Sequence, residues 1–169
     1  MNNIKVQFEL VSNVPEILIE LKTNIYQYKR AFILFDTGAS MTATSMDLIM
    51  SVDHRMIVGD KTEVSGFGGK KSADYAILSD LVIGGVHLGP VATLVAEFSD
   101  DTRYDVILGM NILKNFNLGM SYNSDAAKDG IITLQPRFDI TELNVISIEG
   151  FDYKDSRFGI WNLQPERRG

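Results

Sequence analysis

An aspartate that ends an apolar run is the first residue in this sequence whose setting suggests chemistry. Ala31-Phe32-Ile33-Leu34-Phe35 stops at Asp36-Thr37-Gly38-Ala39-Ser40, the pattern of a buried strand that delivers a carboxyl group at its end. A carboxyl placed in this way can take or give a proton. Taken alone, it reads rather as a turn or cap aspartate at a strand end. Other chemistries find little support. The two histidines, His54 and His87, have no ligand spacing, so no metal site is expected. There is no Gly-x-Ser-x-Gly elbow. Gly69-Lys70 is followed by Lys71, and Val64 stands where a phosphate-binding loop needs its first glycine. Asp100-Asp101 and Asp125 lack the spacing of a calcium loop and read as solvated charges.

The elements that must position Asp36 are mostly strands. Ile4 to Leu10 and Ile17 to Lys22 alternate apolar and polar residues, with a break at Val14-Pro15. Gln27 to Arg30 leads into the apolar run before Asp36. Thr42 to Met50 fits a short helix or a further strand. Val58 to Glu63 runs into Val64-Ser65-Gly66-Phe67-Gly68-Gly69-Lys70-Lys71, where three glycines in four residues mark a sharp turn between two extended arms. Tyr75 to Ile83 reads as one strand, Gly84-Gly85 as a hairpin turn, and Val86 to Phe98 as strand with an edge or break at Pro90. After the polar loop Ser99 to Arg103, Asp105-Val106-Ile107-Leu108-Gly109 is a buried strand closed by glycine. Met110 to Phe116 carries Ile112, Leu113 and Phe116 at the spacing of a one-faced short helix. Asn117 to Tyr122 and Ile131 to Leu134 flank a loop containing Asp129-Gly130 and read as a hairpin. The fold class is all-β with one or two short helices.

Composition narrows the partners. The chain of 169 residues is 45% apolar and carries a formal charge of −6, which fits one globular domain with a hydrophobic core and argues against nucleic acid as a partner. The absence of cysteine excludes disulfides and is compatible with a reducing compartment. Met1 to Gln7 lacks the apolar core of a signal peptide, and no apolar run approaches transmembrane length. A soluble cytoplasmic protein without membrane attachment is expected. Residues 138–169 differ in character: Ile140, Leu143, Val145, Ile146 and Ile148 offer further strand material, aromatics are scattered among charges, and the end is polar.

Three features stand in order: the strand ending in Asp36-Thr37-Gly38-Ala39-Ser40, a glycine-rich hairpin tip about thirty residues on, and Val106-Ile107-Leu108-Gly109-Met110-Asn111-Ile112-Leu113. In this order they resemble the retropepsin family, the retroviral-type aspartic proteases and their cellular relatives, over residues 4–136. The resemblance implies a closed acid-protease β-barrel with a flap hairpin, in a domain spanning residues 1–137 followed by an extension over 138–169. It implies an endopeptidase that needs no cofactor, with Asp36 as the catalytic carboxylate and Thr37, Gly38, Ala39 and Ser40 as the supporting loop. Thr37 would bond across a dimer axis. Gly66, Phe67, Gly68 and Gly69 would form a flap over an extended peptide substrate. Gly109 would brace the loop, and Asn111 would lie in the helix beneath it.

The chain holds only one Asp-Thr-Gly or Asp-Ser-Gly, whereas this chemistry uses two carboxyls sharing a proton. A homodimer about a twofold axis supplies the second. Two departures stand out. Ser40 replaces an acidic residue, and Met110 replaces an arginine, of the retroviral enzymes, so the intersubunit ion pair of those enzymes is not expected here. The residues 138–169 are expected to share in the dimer interface. The rival reading is a dimeric peptide-binding or scaffold module of the same fold without turnover.

Overall fold

In β1 (Ile4–Val11), Ile4, Val6 and Phe8 are buried while Lys5, Gln7 and Glu9 are exposed, the period of two that a half-buried strand requires. The computed structural model that shows this describes residues 3–66, 69–99, 101–123 and 128–137. Strand β2 (Val14–Asn24) returns through Ser12 and Asn13, both at positive φ (54° and 64°), the geometry of a tight two-residue hairpin. Pro15 therefore does not break the chain. It is the second residue of β2, opposite Leu10, near a strand start where its missing N–H is tolerated.

Strand β3 (Gln27–Phe35) pairs antiparallel with β2. The ambiguous stretch after Asp36 resolves into both alternatives: β4 (Ala43–Ser45), then the single-turn helix α1 (Met46–Ile49), with Ser45 Oγ accepting from the Leu48 N–H. A long hairpin follows, β5 (His54–Gly66) and β6 (Gly69–Leu78), with an irregular register between Ile57 and Lys61. The stretch Tyr75 to Ile83 is two strands, not one. The chain turns at Ser79-Asp80, where the Ser79 N–H donates to Asp53 O and Asp80 Oδ1 accepts from the Gly89 N–H. Strand β7 (Leu81–Ile83) then pairs with β8 (Val86–His87) across Gly84-Gly85, with φ of 56° and 79°. Pro90 falls between β8 and β9 (Val91–Ala96).

Strand β10 (Val106–Leu108) leads into the single-turn helix α2 (Met110–Leu113), and the hairpin of β11 (Phe116–Tyr122) and β12 (Asp129–Pro136) follows. One sheet of twelve strands results, in the order β11-β12-β1-β2-β3-β10-β4-β9-β6-β5, with β7 and β8 branching from β2. The all-β expectation holds. The closed barrel does not: among the described residues β5 and β11 are the two ends of the path and do not pair. The physical reason lies in the hairpin arms, since among the described residues β5 pairs only with β6 and β11 only with β12, so each has one edge without a partner strand there. The sheet instead wraps a single buried cluster that includes Ile33, Leu108 and Ile112.

Two parallel pairings position the Asp36 loop. Strand β10 lies parallel to β3, with Val106 opposite Ile33 and Leu108 opposite Phe35. Parallel neighbours end at the same edge, so the residues after them, Asp36 and Gly109, emerge side by side. Strand β4 lies parallel to β9 and antiparallel to β10, which brings the chain after the Asp36 loop back against the same support. No helix among the described residues is long and apolar enough to cross a membrane.

Candidate active site

Asp36 is held from its backbone first. Its N–H donates to Leu108 O at 3.1 Å, extending the ladder between β3 and β10 by one residue. The chain then turns tightly: the Ala39 N–H donates to Asp36 O at 3.3 Å, and the Gly38 N–H donates to the Asp36 side chain at Oδ1, at 2.8 Å. That bond fixes the direction of the carboxyl. Oδ2 has no hydrogen-bond partner among the described residues. Asp36 is half-buried, while Thr37, Gly38 and Ser40 are exposed at the loop tip. A Cβ on Gly38 would come within 3.1 Å of Asp36 Oδ1, close enough to disturb the carboxylate.

The support for this loop comes from α2. The first N–H groups of a helix have no partner within it. Here the Met110 N–H donates to Ala39 O at 2.8 Å and the Asn111 N–H to Ser40 O at 3.1 Å. The loop carbonyls and the helix start thus satisfy each other. Gly109 permits the approach: a Cβ there would lie 2.3–2.7 Å from the backbone of Met41 and Thr42.

Behind the loop lie the buried polar side chains of the described residues, namely Thr42, Thr44, Thr93, Asn111 and Asn115. Thr42 Oγ1 accepts from the Gly109 N–H at 3.2 Å. Thr93 Oγ1 lies 2.8 Å from Thr44 Oγ1 and 3.2 Å from Thr42 O. On the other side of β10, Asp105 Oδ2 accepts from the Phe32 N–H at 3.0 Å, which ties the loop before β10 to β3. Buried polar groups are tolerated when they are paired, and here the pairing is concentrated on β4, β9 and α2, the elements that carry the Asp36 loop.

Beside the loop, Leu34 and Phe35 line an apolar cavity of about 220 Å³ together with Pro15, Ile17, Leu118 and Met120. Leu118 and Met120 lie on β11, an edge strand among the described residues, and Tyr122 at its end is also exposed. The Gly66 and Gly69 backbones close the β5–β6 ladder opposite one another. Phe67 and Gly68, which come between them in the sequence, lie outside the described residues, as does the whole of 138–169. The hairpin reaches the Asp36 loop through the sheet, since β6 pairs with β9, and β9 with β4.

A second carboxylate, Asp80, sits near the opposite end of β3. Its Oδ2 accepts from the Tyr28 hydroxyl at 2.9 Å and lies 2.6 Å from His87 Nδ1. The hydrogen bond to Asp80 and, after it, burial raise the Tyr28 phenol above its ordinary value. Among the described residues no group of three or more histidines or acidic residues is placed to hold a metal ion.

Thus the structure brings Asp36, Thr37, Gly38, Ala39 and Ser40 together in one loop against Leu108, Met110 and Asn111. Sequence reasoning passed over Thr42, Thr93 and Asp105, and gave Asn111 only a place in a helix. The signal that could have found Asn111 is a polar residue inside an otherwise apolar run, Val106 to Leu113.

An all-β chain that presents an Asp-Thr-Gly loop braced by a Leu-Gly strand and a short helix fits one class of protein, the aspartyl proteases. The aspartyl protease family profile matches residues 24–112, from the end of β2 into α2. This chain belongs to that family, with its retropepsin-like members. No curated protein matches the chain.

Proposed function

We propose that the chain is a homodimeric endopeptidase whose catalytic pair is Asp36 from each of two subunits. The observation that carries this reading is the single Asp-Thr-Gly in the chain, delivered by β3 with Oδ1 tied to Gly38 and Oδ2 without a partner among the described residues. Two carboxyls at contact distance cannot both stay ionised, so they hold one proton between them. The ionised one takes a proton from water as the water oxygen attacks the peptide carbonyl carbon. The protonated one gives its proton to the carbonyl oxygen. As the C–N bond breaks, the first carboxyl passes its proton to the leaving nitrogen, and the second takes one from a hydroxyl of the tetrahedral intermediate. The pair is then restored.

The exposed Thr37 and Ser40 support a dimer axis at the loop tip, as do Leu118, Met120 and Tyr122, exposed on β11, whose outer edge has no partner strand among the described residues. In this reading the Thr37 hydroxyl bonds to the partner loop, and Gly38, Ala39 and Ser40 shape the cleft floor. The hairpin with Gly66, Phe67, Gly68 and Gly69 acts as a flap that closes over the substrate and excludes water. The substrate is an extended peptide, bound by main-chain hydrogen bonds with alternate side chains in apolar pockets. Residues 138–169 contribute to the dimer interface, and the protein works in the cytoplasm. Truncation after Arg137 tests the first of these two points, since an unchanged dimer contradicts it.

Incubation of the purified chain with a diverse peptide library from acid to neutral pH tests the function itself. Cleavage within peptides is expected. Binding without cleavage at every pH identifies a peptide-binding module instead.

A further inference from the structure

We propose that Asn111 is the positioning residue of the active-site loop, acting on Asp36 through Thr42. The proposal rests on the reading of Asp36 as catalytic. Asn111 is 3% exposed, and its side chain faces two different demands. Oδ1 accepts from both the Thr42 N–H and the Thr42 hydroxyl, each at 2.8 Å. Nδ2 donates to Ala92 O at 2.9 Å. One end of the side chain must accept and the other must donate, and an amide does both without a charge.

The loop between Asp36 and Thr42 is fixed at its ends and, through Ala39 O and Ser40 O, at the start of α2. Its start hangs on Leu108 O. At its end Thr42 O accepts from the Leu94 N–H at 2.8 Å, and the Thr42 hydroxyl, donating to Asn111, accepts from the Gly109 N–H. The tip residues Thr37, Gly38 and Ser40 are exposed, so packing does not set their position and the anchors must. The Asn111 side chain ties Thr42, and with it the end of the loop, to α2 and to the β9 backbone at Ala92. Without it, the Thr42 N–H and the Ala92 carbonyl lose these bonds in a buried place, the Thr42 hydroxyl keeps only the Gly109 N–H, and the loop shifts to find other partners. A small displacement of Asp36 slows the chemical step and leaves substrate binding largely unaltered.

The test compares the full-length wild type with Asn111→Leu and Asn111→Asp, each verified as a folded dimer by circular dichroism and light scattering. In Asn111→Leu, kcat is expected to fall about a hundredfold while KM stays within about threefold. The Asn111→Asp variant carries the sharper signature. A buried acid facing the Ala92 carbonyl is disfavoured when ionised, so its pKa is raised. Below that pKa, the protonated acid donates to Ala92 O and accepts from Thr42, as the amide does. Above it, two oxygens face each other and the joint fails. The ratio of variant to wild-type kcat is therefore expected near one in acid, falling about tenfold or more as pH rises.

A ratio that is flat with pH, or an Asn111→Leu dimer with wild-type kcat, overturns the proposal. So does a loss that follows the unfolded fraction. If Asn111→Leu does not fold, the pH ratio of Asn111→Asp decides alone. If the wild type cleaves no peptide, the catalytic reading of Asp36 fails, and amide hydrogen exchange in Asn111→Asp judges the loop. Exchange at Gly38 and Thr42 that quickens about tenfold from acid to neutral pH, beyond the change in wild type, supports the positioning role. Equal change in both proteins overturns it.

Discussion

Two carboxylates lie toward opposite ends of β3, and their surroundings differ in kind. Asp80, beside Tyr28 near the start of the strand, has both oxygens engaged: Oδ2 with the Tyr28 hydroxyl and His87, Oδ1 with the Gly89 N–H. Its side chain is only 12% exposed. Asp36, just past the end of the strand, has one oxygen held by the Gly38 N–H and the other without a partner among the described residues. A carboxylate whose acceptor capacity is filled by its own chain is a joint. It fixes the turn between β6 and β7 and has little capacity left for a substrate. A carboxylate held on one side only keeps its direction and retains an oxygen for a proton. The difference is one of backbone arrangement, because both residues are aspartates next to apolar strands.

Four substitutions or titrations probe this contrast. The largest effect is expected from Asp36→Asn. Peptide cleavage should fall by about a thousandfold or more, with thermal unfolding little changed, since the amide oxygen can still accept from the Gly38 N–H. A variant that cleaves as fast as wild type would remove Asp36 from the chemistry.

Gly109→Ala comes next. Its Cβ would press on the Met41 and Thr42 backbone, which cannot give way as a flexible side chain does. A loss of about 1–3 kcal/mol in denaturant unfolding is expected, together with reduced kcat, because the displaced backbone belongs to the Asp36 loop. Asp80→Ala should reverse that balance. It leaves the Gly89 N–H without its acceptor, for a loss of about 1–3 kcal/mol, while kcat measured well below the unfolding temperature stays near wild type. Loss of kcat without loss of stability would mean that the two carboxylates are coupled.

The smallest effect is a titration. The Tyr28 phenol is held above its ordinary value chiefly by its hydrogen bond to Asp80. A raised folded-state value means that the bond favours the fold at pH values below the unfolded tyrosine value. That contribution is lost as pH rises through the folded one. Absorbance titration should show Tyr28 ionising late in wild type and nearer the ordinary tyrosine value in Asp80→Ala.

Much of the Asp36 side of this contrast is legible in the sequence, because local order carries it. An apolar run before Asp36, small residues after it and Leu108-Gly109 before a helical spacing are patterns within single elements, and the structure places all of them in one constellation. The parts that escaped are long-range. Thr42 and Asn111 are joined across sixty-nine positions, and no periodicity records such a bond. The turn at Asp80 is set by partners on β3, β8 and the loop after β8, so Tyr75 to Ile83 reads as one strand when taken alone. Pro15 reads as a break because the Ser12-Asn13 turn before it has no glycine to announce it. Barrel closure depends on which hairpin arms find a second partner, and among the described residues β5 and β11 do not.

The central claim is that one active site needs Asp36 from two chains. Mixing wild-type and Asp36→Asn subunits at fixed total concentration, after exchange has reached equilibrium, tests it most directly. If both carboxylates are required, activity follows the square of the wild-type fraction, so an equal mixture retains about one quarter of wild-type activity. Activity proportional to the wild-type fraction, about one half in the equal mixture, would show that a single Asp36 suffices and would contradict the claim.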